Sequence, residues 1–206
     1  MNKNLLKCFY LPLFGNIFFI AFAIICFVYY HTFGTIGVVV KSFEAVAYIC
    51  EIVGFLLNLI AIIMICKTVR QRNYMKIGYS VYIVVEIIMM VLELNWYKFP
   101  FYEPYSLVLA ISHSIFSALI CFSFLQLEPK TTCLEIMVVI SVGIMFFGMM
   151  GNIFGIRIYF SILTNAFAYV VLFASVIFFL KQERLEIDCY GDKATTVKYK
   201  SSFFEE

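Results

Sequence analysis

Polar residues break the chain into six apolar runs, at roughly 9–31, 44–66, 77–97, 106–127, 134–156 and 158–180. At about 1.5 Å per helical residue each is long enough to cross about 30 Å of hydrocarbon. The connectors are short, so consecutive spans are expected to pack as antiparallel neighbours. The pattern predicts an all-α polytopic membrane protein: a bundle of six transmembrane helices over residues 1–182, then a short tail over 183–206. The first run follows Lys3 and Lys7 as a signal peptide would. It exceeds the roughly 7–15 residues of a signal h-region, and no A-x-A site follows, so it is expected to stay as the first span.

Polar residues inside the runs carry the candidate chemistry. Glu86 and Glu93 are seven residues apart, within roughly 20° of one helix face. Glu51, Gly54 and Asn58 share a face of the second run. Ser106, Ala110, His113, Ser117 and Cys121 step by three or four along the fourth. Stripes of this kind line an interior, because a charged side chain facing lipid is costly. Measured from the outer ends, Glu51, His113 and Asn165 fall near the same depth of roughly 10 Å. Glu86 lies roughly 15 Å deep and Glu93 within about 6 Å of the surface. These levels predict an outward-facing acidic chamber lined by Glu51, Glu86, Glu93, His113 and Asn165. The plainer alternative makes each of them a hydrogen-bonded link between neighbouring helices, with Glu93 at the interface.

Charge gives the orientation. Lys3, Lys7, Lys67, Arg70, Arg72, Lys76, Lys130, Lys181, Arg184, Lys193, Lys198 and Lys200 fall on the side that carries both termini. Only Lys41, Lys98 and Arg157 fall on the other. The bias makes both termini cytoplasmic and the expected location the plasma membrane. Tyr29, Tyr30 and His31, and the aromatics between Trp96 and Tyr105, read as belts at the outer interface. Within 98–105, KFPFYEPY, two prolines forbid helix throughout, and the segment is an interfacial anchor or a lid.

Overall composition agrees: 64% of the 206 residues are hydrophobic and 14% charged, against about 45–50% and about 25% in soluble domains. Gly148, Gly151 and Gly155, with Ser161, Ala168 and Ser175 on the next run, predict a close-packed final hairpin. GNIF recurs at 15–18 and 151–154, which we read as chance. The seven cysteines, at 8, 26, 50, 66, 121, 133 and 189, form no C-x-x-C pair and read as apolar filler. No metal-ligand spacing, catalytic motif or helix-turn-helix pattern occurs, so no cofactor, metal or nucleic-acid partner is expected.

Three carboxylates and a histidine without a basic partner at their depth favour a cationic small molecule or a proton. The leading expectation is a small-solute or cation transporter, or the substrate-binding membrane subunit of one. A receptor or interaction module is the alternative. It would contact a membrane or cytoplasmic protein partner through the basic loop Lys67–Lys76 and the tail, although that loop also suits topology and anionic lipid. An intramembrane enzyme ranks third, for want of any recognisable constellation.

Overall fold

The computed structural model describes residues 3–32, 41–70, ten positions within 76–91, 102–124, 132–154 and 158–182. The described chain is all helix apart from short turns and ends. Helix α1 spans Lys3–Thr32 and α2 Lys41–Thr68. The described positions within 76–91 are helical and form α3. Helix α4 spans Tyr102–Ser123, α5 Thr132–Ile153 and α6 Ile158–Lys181. Four stretches are long and apolar enough to cross a membrane: Leu5–Tyr29, Ser42–Thr68, Thr132–Gly151 and Tyr159–Lys181. Within α4, Ile111–Phe122 is a shorter apolar helix.

Two boundaries differ from the sequence reading. Helix α1 begins at Lys3, before the first apolar residue of the predicted run, and carries Pro12 in its interior. Such a proline is tolerated among packed spans, where neighbouring groups compensate for the lost backbone bond. Helix α4 begins at Tyr102 rather than near 106, and takes Pro104 into its first turn. First-turn residues have no intrahelical acceptor for their N–H, so a proline there forfeits nothing. Residues 98–101 of the proposed lid, Arg157 and the tail lie outside the described residues.

The order of packing follows the small and polar faces. Helix α1 packs on α2 and on α6; α6 also packs on α5 and α4, and α4 on α5. The centre is α6, with 56% of its apolar window buried against 33% for each of the other three spans. On α2 the buried row is Ala47, Glu51, Gly54, Asn58, Ala61 and Ile65, while Ile49, Ile52, Leu56, Ile60 and Ile63 face outward. Bulky residues outside and small or polar ones inside suit a solvent as apolar as the core itself.

The half of the bundle nearest the chain termini is closed by aromatic rings. Phe9 of α1 lies 6.2 Å from Phe124 of α4 and 6.5 Å from Phe173 of α6, centroid to centroid. Phe124 and Phe173 meet edge to face at 5.9 Å, and Tyr169 stacks on Phe173 at 5.8 Å. All four rings are buried. The final hairpin packs as the small residues predict: a Cβ on Gly148 would run into the Thr164 side chain and the Ser161 backbone. Gly151, Ser161 and Ala168 are buried too, and Gly155 lies outside the described residues.

Candidate functional site

Two polar seams cross the apolar interior. The first joins α4 to α6. These helices run parallel, because His113 meets Asn165 nearer their starts and Phe124 meets Phe173 nearer their ends. Asn165 Nδ2 lies 3.0 Å from His113 Nδ1 and donates to Ser114 Oγ at 3.2 Å. Ser114 Oγ lies 3.4 Å from Ser161 Oγ. Ser114, Ser161 and Asn165 are buried and His113 half-buried. Which partner donates in the Asn165–His113 contact follows the tautomer of the ring. On the neighbouring face of α6, Thr164 spends its hydroxyl on the Phe160 and Ser161 carbonyls and presents its side chain to Gly148.

The second seam joins α1 to α2. Here Gly15 and Gly54 cross so closely that a Cβ on Gly54 would lie 2.9 Å from the Gly15 carbonyl oxygen. A Cβ on Gly15 would lie 2.9 Å from the Gly54 carbonyl oxygen and 2.5 Å from Asn58 Nδ2. The close approach lets Asn16 Nδ2 reach both the Pro12 carbonyl, at 2.7 Å, and Asn58 Oδ1, at 3.4 Å. Asn58 Nδ2 in turn donates to the Gly54 carbonyl at 2.9 Å. Glu51, only 8% exposed, stands one turn before Gly54 on the same face of α2. Where the end of α1 meets the start of α2, Tyr29 donates to Glu44 at 3.4 Å.

Of the five residues predicted to line one chamber, the structure brings His113 and Asn165 into direct contact. It places Glu51 in the other seam, on the face that α2 turns toward α1. Glu86 and Glu93 lie outside the described residues. The sequence reading missed Ser114 and Ser161 as the groups that extend the His113–Asn165 pair, and it missed that Asn16 and Asn58 meet. Matching depth found the first pair, and nothing in the periodicity distinguished Ser112 from Ser114 as its neighbour. Among the described residues, no three of His, Cys, Asp and Glu gather as a metal ion would need. None of the six described cysteines is in a disulfide, and Cys121 Sγ rests 3.8 Å from Met145 Sδ. Cys189 lies outside the described residues.

The α4–α6 seam offers an imidazole, a carboxamide and hydroxyls; the α1–α2 seam adds a carboxyl group. Both suit the reversible binding of a small polar species. Compared with known protein families, with curated proteins and with solved structures, the chain matches none.

Proposed function

We propose that the chain is a six-span protein of the plasma membrane, with cytoplasmic termini, that binds and moves a small cationic solute or a proton. It acts as a transporter or as the substrate-binding membrane subunit of one. The observation that carries this reading is the His113–Asn165–Ser114 cluster, buried between two helices and extended by Ser161. Polar groups at such depth persist where they serve a pathway, because burying them without one is costly. Glu51, also buried, supplies a carboxyl group to attract a cation from the outer side, and Glu86 and Glu93 of the third span would add to it. His113 and Asn165 provide hydrogen bonds, and the rings of Phe9, Phe124 and Phe173 close the inner half when the site faces outward.

The test uses purified protein in proteoliposomes, with radiolabelled methylammonium uptake and an entrapped pH-sensitive dye as readouts. Wild type is expected to give uptake or proton flux above empty vesicles. Glu51→Gln is expected to lose that signal while eluting and melting as wild type does. Wild-type vesicles silent in both assays, or a fully active Glu51→Gln, would refute the proposal.

A further inference from the structure

Beyond its hydrogen-bonded pairs, the α4–α6 seam contains two polar atoms that no described residue satisfies. They are Asn165 Oδ1 and Ser117 Oγ, on side chains 2% and 0% exposed. Turning the Asn165 amide over changes which of its ends is orphaned, but one end always is, since the other faces His113 Nδ1 and Ser114 Oγ. Both amide hydrogens are spent on those two contacts, so Oδ1 requires a donor from elsewhere.

Helix geometry sets the two orphans about one turn apart in level along the seam. Ser117 is one turn beyond Ser114 and His113 on α4, on the stripe that continues to Cys121. Because α4 and α6 run parallel, Ser117 comes level with the turn between Asn165 and Tyr169, where buried Ala168 is the small residue. The His113–Asn165 bond bounds this level on one side and the Phe124–Phe173 contact on the other. A guest there must be small, must donate to Oδ1 and must bond a hydroxyl. It must also be uncharged, because the carboxamide and hydroxyl that would hold it carry no charge to balance a cation.

The geometry points to a buried water molecule that donates to Asn165 Oδ1 and bonds Ser117 Oγ. Two firm polar partners meet the minimum that an internal water needs. The bound water extends the hydrogen-bonded line from His113 through Asn165 to Ser117, over a full turn of α4. It ties α4 to α6 at a level where apolar packing alone would leave both groups unsatisfied. This inference rests on the seam alone and stands whether or not a solute crosses the protein.

The sign of one substitution tests it. If Ser117 Oγ had no partner, Ser117→Ala would delete an unsatisfied buried atom and leave Tm level or raise it. With the water in place, Ser117→Ala lowers Tm, by on the order of 2–4 °C in a chain of this size. Asn165→Leu also lowers it, and the double variant loses less than the sum of the two because both side chains hold one guest. Melts in equal ammonium chloride and sodium chloride identify the occupant. Equal protection by the two salts supports water. Specific protection by ammonium that Asn165→Leu abolishes would overturn water in favour of a cation. A level or raised Tm in Ser117→Ala would overturn the site itself.

Discussion

Replacing Gly54 with alanine adds one methyl group at the tightest point of the bundle. The new Cβ would lie 2.9 Å from the carbonyl oxygen of Gly15 and 3.4 Å from the side chains of Phe18 and Phe19. The carbonyl belongs to a helix backbone and cannot turn aside as a side chain does, so α1 and α2 must separate by several tenths of an ångström. Overpacking of this kind costs about 1–3 kcal/mol. The separation also stretches the Asn16–Asn58 hydrogen bond, already 3.4 Å long, which adds about 0.6 kcal/mol, the average for a polar contact between spans. Alanine returns about 1 kcal/mol of helix propensity at this interior position, so at about 2–4 °C per kcal/mol for a chain of this size Gly54→Ala is expected to lower Tm by roughly 1–10 °C. Gly143→Ala is the control. A Cβ there meets nothing within 4 Å, and alanine gains about 1 kcal/mol of helix propensity. A maleimide dye that fluoresces on reaction reads both variants in mild detergent. Exposed Cys133 sets the starting signal, and buried Cys8 and Cys121 react as the bundle opens. A Gly54→Ala protein that melts as high as Gly143→Ala, at or above wild type, would refute the close crossing.

Two further outcomes follow from the same description. In a double-mutant cycle of Asn16→Leu and Asn58→Leu, the same melts should give a coupling of about 0.6 kcal/mol and not above about 1.7 kcal/mol. Zero coupling would show that each amide is satisfied by its own helix alone. Under the six-span reading Cys133, exposed at the start of α5, faces the cytoplasm. A membrane-impermeant maleimide should therefore label it in inside-out vesicles and not in intact cells; labelling in intact cells would invert the topology.

The helices were legible because their length is set by bilayer thickness rather than by neighbours. The runs at 44–66, 134–156 and 158–180 each come within three residues of the helix bounds at both ends. The ends of α1 and α4 were less legible. An apolar-run criterion stops at Lys7 and at Pro104, whereas a helix continues through a lysine that reaches the interface and through a first-turn proline. Periodicity gives each residue a face but not an opposite number. Equal depth was enough to pair His113 with Asn165. It was not enough for Asn16, because the early start of α1 carries that residue further along its helix, where it meets Asn58. Ser114 lies one position off the stripe that includes His113, and only the lateral placement of α6 makes it the bonded serine.

The central position of α6 has a consequence for biogenesis. The helix that touches α1, α4 and α5 is made after all of them. Until it enters the membrane, α1 has only α2 for a described partner of any extent, and His113 and Ser114 of α4 lack the amide that satisfies them. A nascent chain inserted in a membrane must therefore shelter a half-finished polar face, in the translocon or against a helper, until α6 arrives and closes the bundle.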